Sequence, residues 1–140
     1  MLVVGLTGGI ASGKSTSSKY IKEELGVTVI DTDTIAREIV RPGLAAHREI
    51  VKAFGPLVLE DPESPDSSEL DRQALGQLIF DDPQKRRILN QITHPKIGWI
   101  VFKRVLYAYL TFERMCVIDV PLLFESGWNR FVSKSILVTW

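Results

Sequence analysis

The stretch LTGGIASGKST, residues 6–16, decides the fold of this chain. An apolar run, LVVGL at residues 2–6, comes directly before it, and a pattern typical of a helix follows it. Its core, residues 8–15, matches the pattern G-x-x-x-x-G-K-[ST] through Gly8, Gly13, Lys14 and Ser15. A strand, a glycine-rich turn and a helix in this order predict a loop that surrounds the phosphates of a nucleoside triphosphate. A chance match in a glycine-rich turn is the alternative, and the agreement between motif and context argues against it.

Each part of this loop has a physical task. Glycines allow backbone N–H groups to point inward and form a nest for an anion, and the helix that begins near Lys14 directs its positive end to the same place. Lys14 is expected to reach the β- and γ-phosphates, and the Ser15 hydroxyl to bind Mg²⁺. The predicted nucleotide contacts are Gly8, Gly9, Ile10, Ala11, Ser12, Gly13, Lys14, Ser15 and Thr16.

Composition places the chain among ordinary globular proteins. It has 140 residues, of which 45% are apolar and 24% are charged. The 17 basic and 17 acidic residues cancel, which argues against a general affinity for nucleic acid. Cys116, the single cysteine, cannot form an internal disulfide, so a reducing compartment, the cytoplasm, is predicted. Peripheral association with an organelle membrane stays open.

Two apolar segments resemble membrane-associated segments, but neither has the features of one. The N-terminal run is short and lacks a basic region before it, so it predicts a strand rather than a signal peptide. The segment at residues 97–112 is interrupted by Lys103 and Arg104 and is shorter than the roughly 20 apolar residues of a span. It predicts a largely buried helix.

The order of elements predicts an α/β protein with a parallel sheet, the three-layer fold of P-loop nucleotide kinases. Expected strands cover residues 2–6, 27–31, 115–124 and 133–140. Expected helices cover residues 14–26, 33–40, 45–55, 70–80, 82–92 and 94–112. We predict a P-loop core at residues 1–35 and 113–140, and an inserted all-helical substrate domain at residues 36–112. Because no helix follows the last apolar strand, we expect a truncated piece of a longer protein.

Carboxylates follow two of the predicted strands at the edge where open α/β sheets bind ligands. Asp33 is a candidate to accept a proton from an acceptor hydroxyl, and Asp31 to support a metal shell or local hydrogen bonds. A helix N-cap is the alternative role for either residue. Asp119 follows an apolar strand in the manner of a Walker B aspartate and would hold Mg²⁺ through water.

Other polar residues give weaker signals. His47 lies at a polar helix start and is expected to face solvent. His94 precedes Pro95, so it marks either a helix start or a substrate contact. Cys116 lies between apolar neighbours and is expected to be inert. Residues 60–69, EDPESPDSSE, predict a solvated and mobile surface loop.

Taken together, the motifs resemble those of dephospho-coenzyme A kinases. The matching stretches are VGLTGGIASGKST, DTDTIAREIVRPG, LDRQALGQLIF, LNQITHPKI and DVPLLFESG. The resemblance covers nearly the whole chain, and the tail at residues 114–125 is most similar to fungal members. Thr32 stands where many members have alanine, a change that is expected to disturb neither neighbouring aspartate.

The resemblance implies a phosphotransferase with an alcohol acceptor, acting in the last step of coenzyme A synthesis. The implied substrates are ATP, with Mg²⁺, and dephospho-CoA, whose ribose 3′-hydroxyl accepts the γ-phosphoryl group. Asp33 matches the proposed general base, Lys14 and Ser15 match phosphate and Mg²⁺ ligands, and residues 36–112 match a CoA-binding domain. The acceptor pocket would include Asp33, Arg37, His94, Leu122, Leu123 and Glu125.

Three alternatives remain at this level. The acceptor could be another nucleoside or small alcohol, or the protein could be a nucleotide-dependent switch, although the long helical insert argues against a switch. A third alternative, which we expect for the 140-residue chain as it stands, is an inactive module that binds nucleotide without turnover. The resemblance implies that the family's last strand or strands and its arginine-bearing lid are missing from this chain. Oligomeric state is not indicated, and neither nucleic acid nor a transmembrane segment is expected.

Overall fold

The strands and helices follow from alternating apolar runs and amphipathic segments along the chain. The computed structural model describes residues 1–9, 12–121 and 128–139. Its strands are β1 (Leu2–Gly8), β2 (Thr28–Asp31), β3 (Met115–Asp119) and β4 (Lys134–Val138). Its α-helices are α1 (Lys14–Glu23), α2 (Thr32–Glu38), α3 (Ala45–Phe54), α4 (Arg72–Phe80) and α5 (Pro83–Leu110), with short 3₁₀ helices at Pro56–Val58 and Trp128–Arg130.

The four strands form one parallel sheet in the order β2-β3-β1-β4. This confirms the predicted α/β class. In the register, Asp119 lies beside Leu6 on β1 and beside Asp31 on β2. The carboxyl ends of β1, β2 and β3 therefore meet at one edge, so the glycine loop and the segments that carry the candidate acids leave the sheet together.

The sheet is stabilised by apolar residues on its two central strands. Val4, Leu6 and Val117 form a buried cluster, and Ile21 of α1 and Val138 of β4 pack against it. Short runs of β-branched and other apolar residues such as these suit strands that are covered on both faces.

The chain divides into two compact units, Met1–Asp33 with Ile100–Trp140, and Thr34–Trp99. The first contains the sheet, and the second has its own core of Ile50, Val58, Leu59 and Leu70. The division of roles between a kinase core and a substrate domain stays a prediction.

Pro95 does not end a helix, contrary to the expectation of separate helices at residues 82–92 and 94–112. Instead it lies inside the 28-residue helix α5. Proline removes one backbone donor from the helical ladder. Side chains add hydrogen bonds nearby, because the Thr93 hydroxyl donates to the Leu89 carbonyl at 3.0 Å and the Lys96 ammonium donates to the Ile92 carbonyl at 3.1 Å.

The expectation of a largely buried helix at residues 97–112 is also wrong. Only Val101 and Ala108 of α5 are buried, whereas Tyr107 and Leu110 are 69% and 63% exposed. The two buried residues are seven positions apart and so share one face of the helix. The other apolar residues of this segment are half-buried or exposed. No helix in the described part of the chain is both long enough and apolar enough to cross a membrane.

His47 is buried, contrary to the prediction that it faces solvent. Its side chain is 1% exposed, and Nε2 donates to the carbonyl of Ser68 at 2.8 Å. Ser68 itself is buried, because the loop at residues 60–69 closes on itself through hydrogen bonds such as Glu60 N–H to the Glu69 carbonyl. The acidic side chains of this loop are exposed, as predicted.

Replacing His47 with leucine is expected to destabilise the fold by about 1–3 kcal/mol, because the buried Ser68 carbonyl loses its donor. Urea unfolding of the two proteins measures this difference. His47→Gln is the matched control, since its amide keeps a donor at a similar reach. Equal stability of the leucine variant and the parent protein would contradict the role of this hydrogen bond.

Burial raises the pKa of the Cys116 thiol, and the nearby Glu113 carboxylate raises that pKa further. Because the thiolate is the reactive form, Cys116 is expected to resist a thiol reagent at pH 8 in the native protein and to react when the chain is unfolded. Because the thiol pKa is higher in the folded chain than in the unfolded chain, its contribution to the free energy of unfolding is fully present below the ordinary thiol pKa. That contribution is lost as pH rises from the ordinary pKa through the raised pKa of the folded chain. Rapid native labelling, followed spectroscopically, would disprove this prediction.

Candidate active site

The glycine loop joins β1 to α1 in a geometry that only a permissive backbone adopts. Gly8 is the last residue of β1, and Gly13 directly precedes α1 with a left-handed φ of 87°. Among the residues that the structure describes, no side chain caps the N-terminus of α1. The first N–H groups of a helix lack partners within the helix, so this end of α1 suits an anion. The predicted contacts Ile10 and Ala11 lie outside the described residues.

Gly8 cannot be replaced by a larger residue without movement. A Cβ atom at this position would lie 2.7 Å from Ser12 Oγ and 2.9 Å from the Val138 carbonyl oxygen of β4. The carbonyl belongs to the backbone of a neighbouring strand and has little room to shift. The closeness of the loop to β4 therefore explains why glycine stands at the end of β1.

Ser12 carries an unsatisfied polar atom. Its side chain is buried, and within the described residues Oγ has no hydrogen-bond partner. A buried hydroxyl without a partner is costly, and such groups are often completed by a ligand. This fits a loop whose polar groups are arranged for phosphate.

Lys14 and Asp119 form an ion pair between α1 and the end of β3. The two side chains are 16% and 6% exposed, so solvent screens the attraction less than at an open surface. The pair brings together the lysine of the phosphate loop and the predicted Walker B aspartate. These two segments, 105 residues apart in sequence, therefore meet at one place.

The turn from β2 to α2 shows which aspartate caps the helix. The Asp31 carboxylate accepts a hydrogen bond from the Asp33 N–H at 2.9 Å. The alternative role as N-cap therefore applies to Asp31. Asp33 lies in the first turn of α2 and is exposed.

Thr32 and Thr7 make hydrogen bonds at this site that the sequence did not indicate. The Thr32 hydroxyl donates to the Asp119 carbonyl at 2.9 Å, and the Thr7 hydroxyl donates to the Pro121 carbonyl at 3.0 Å. The only available signal was a small hydroxyl residue beside each motif, and nothing in the sequence distinguished it from an ordinary exposed threonine.

The structure describes only some of the residues that are predicted to contact the acceptor. Arg37 is exposed on α2, and His94 is exposed on α5, where it borders a groove of about 430 Å³ that is also lined by Arg87 and Asn90. Both Arg37 and His94 belong to the second compact unit. Leu122, Leu123 and Glu125 lie outside the described residues.

The donor set at the strand ends fits Mg²⁺. The Ser15 hydroxyl is exposed in the first turn of α1, and the Asp119 carboxylate lies beside Lys14 of the same turn. Mg²⁺ prefers oxygen ligands and is commonly held by one or two protein groups together with substrate phosphates. The described residues contain no cluster of three or more His, Cys, Asp or Glu that could hold a metal by itself.

This fold and loop define an α/β protein of the P-loop nucleotide kinase type. The family model described as dephospho-CoA kinase matches residues 2–140, so the chain belongs to the dephospho-CoA kinase family. The predicted family is thereby confirmed.

Individual relatives agree with this assignment. A dephospho-CoA kinase of Moorella thermoacetica is 50% identical over 99% of this chain and 63% of its own length. A dephospho-CoA kinase of Saccharomyces cerevisiae is 44% identical over 99% of this chain and 56% of its own length. The chain spans about 56–66% of the length of the curated relatives it matches.

Solved structures give the same fold. TT1252 from Thermus thermophilus matches with a TM-score of 0.82 and 28% identity, over 99% of this chain and 65% of that one. A dephospho-CoA kinase from Campylobacter jejuni matches with a TM-score of 0.69 and 25% identity, over 96% of this chain and 64% of that one.

Replacing Gly8 with alanine is expected to weaken ATP binding, because the new methyl group would displace the loop or β4. Overpacking of this kind costs about 1–3 kcal/mol, which corresponds to a roughly 5- to 150-fold loss of affinity if the whole cost falls on the bound state. Titration calorimetry with ATP measures the change. Gly76→Ala in α4, where a Cβ meets nothing within 4 Å, is the matched control. Unchanged affinity in Gly8→Ala would contradict the predicted clash.

Proposed function

We propose that this protein transfers the γ-phosphoryl group of ATP to the ribose 3′-hydroxyl of dephospho-CoA, the last step of coenzyme A synthesis. The observation that carries the proposal is the Lys14–Asp119 ion pair, which joins the glycine loop to the end of β3 in a member of this family. The names of its relatives support the choice of substrates. One buried cysteine supports a reducing compartment, and we propose the cytoplasm.

On the nucleotide side, residues 8–16 would surround the phosphates. Backbone N–H groups at the start of α1 and the buried Ser12 hydroxyl supply donors for an anion. Lys14 would exchange Asp119 for the β- and γ-phosphates when ATP binds. Ser15, and Asp119 through water, would hold Mg²⁺, which neutralises phosphate charge when it is bound.

On the acceptor side, Asp33 would accept the proton of the attacking hydroxyl. The hydroxyl oxygen forms a bond to the γ-phosphorus, the bond from that phosphorus to the bridging oxygen breaks, and ADP leaves. Asp31 would keep the turn in place by accepting the Asp33 N–H. Residues 36–112 would form the CoA-binding domain, and the proposed acceptor contacts are Arg37, His94, Leu122, Leu123 and Glu125.

Coupled measurement of ADP release tests the acceptor. We expect release to depend on both ATP and dephospho-CoA, and other nucleosides and small alcohols to be poor substitutes. Equal rates with another acceptor would reassign the substrate. ATP binding in calorimetry with no turnover on any acceptor would support a binding module instead.

Replacing Asp33 with asparagine is expected to lower kcat by about 10²-fold or more while ATP affinity is kept, because a general base is lost and the loop is untouched. The same coupled assay gives kcat, and calorimetry gives the affinity. Asp66→Asn, in the exposed loop at residues 60–69, is the matched control. A kcat within twofold of the parent protein would remove Asp33 from this role.

A further inference from the structure

The end of β3 is supported from the β2 side by a side chain in addition to the sheet ladder. Asp31 and Asp119 are the last paired residues of β2 and β3. The next residue, Thr32, begins α2 and leaves the sheet. Its hydroxyl, in a side chain that is 7% exposed, donates to the Asp119 carbonyl and so continues the connection one residue further.

The opposite side of β3 is supported by β1. The Val120 N–H donates to the Leu6 carbonyl at 2.9 Å, and the Thr7 hydroxyl donates to the Pro121 carbonyl at 3.0 Å. The backbone that carries Asp119 is therefore held from both neighbouring strands.

The direction of the Asp119 carboxylate depends on this backbone. The carboxylate is buried and pairs with Lys14, so a small rotation of the main chain changes the distance between the two charges. A hydrogen bond to the carbonyl of the same residue restrains that rotation. Loss of the Thr32 hydroxyl would also leave the buried carbonyl without this donor.

Thr32 is, in addition, the middle residue of the turn that presents Asp33. Asp31 fixes the turn locally by accepting the Asp33 N–H. The Thr32 hydroxyl fastens the same turn to β3. One residue thus joins the segment that carries the candidate base to the segment that carries the candidate metal ligand.

We propose that Thr32 is a positioning residue that sets Asp119, and with it the contact to Lys14, relative to the turn at Asp31–Asp33. The effect of Thr32 on nucleotide binding rests on the proposed function. The hydrogen bond from Thr32 to Asp119 does not depend on that function, so experiments can test the positioning role and the proposed function separately.

The variants are Thr32→Val, which keeps the shape and removes the hydroxyl, and Thr32→Ser, which keeps the hydroxyl. Thr28→Val is the matched control, because the Thr28 hydroxyl donates to Glu113 Oε1 at 2.8 Å from the other end of β2. If Thr32→Val does not fold, Thr32→Ala removes the hydroxyl without placing a methyl group against the Asp119 carbonyl. All are made in the 140-residue chain.

The first readout is amide hydrogen exchange by NMR without any ligand. We expect Thr32→Val to speed exchange of the Asp33 and Val120 amides by about three- to tenfold, which is the worth of one hydrogen bond. Thr32→Ser is expected to restore the parent rates, and Thr28→Val to leave both amides unchanged. Parent-like exchange in a folded Thr32→Val protein would overturn the proposal.

The second readout is ATP titration calorimetry with and without Mg²⁺. We expect Thr32→Val to lose about three- to tenfold of the affinity that Mg²⁺ adds, with the Mg²⁺-free affinity unchanged and with rescue by serine. A full Mg²⁺ gain in Thr32→Val, or no rescue by serine, overturns the positioning role. Absence of ATP binding in the parent chain would instead refute the proposed function, and the exchange rates would still decide the role of the hydroxyl.

Discussion

The parallel pairing of β1 with β3 is the constraint on which the site depends. Leu6 lies beside Asp119, although more than one hundred residues separate them in sequence. This register puts the end of β3 next to the start of the glycine loop. A shift of one residue would turn the Asp119 side chain to the other face of the sheet, because side chains alternate along a strand. The observed register therefore brings the Asp119 carboxylate to the side of the sheet where it meets Lys14.

The same edge of the sheet collects groups that a ligand-free core would not favour. Within the described residues, Ser12 carries a buried hydroxyl without a partner, and α1 begins without a side-chain cap. Asp119 is almost fully buried and is compensated by Lys14. These features weaken the fold by themselves and are consistent with a site that is completed by a charged ligand.

The sequence was a good guide where one residue type has one physical use. Glycine at positions 8 and 13 follows from close approach to β4 and from a left-handed backbone, and both conditions are nearly specific to glycine. Apolar runs of five to ten residues predicted the four strands of the described sheet in the correct order along the chain. It was a poor guide for α5, where the apolar residues do not share one face and only Val101 and Ala108 are buried. It also misplaced His47, since a histidine near a helix start gives no sign that a loop twenty residues later will cover it.

The sequence by itself determined the α/β class and the family, because these depend on local order and on motifs that backbone geometry makes nearly unique. Only the tertiary structure decided that Asp31 caps α2, that Lys14 meets Asp119, and that Thr32 ties the acidic turn to β3. The reason is physical: a hydroxyl or carboxylate can satisfy many partners, and its actual partner is set by which strand ends the sheet brings within hydrogen-bonding distance.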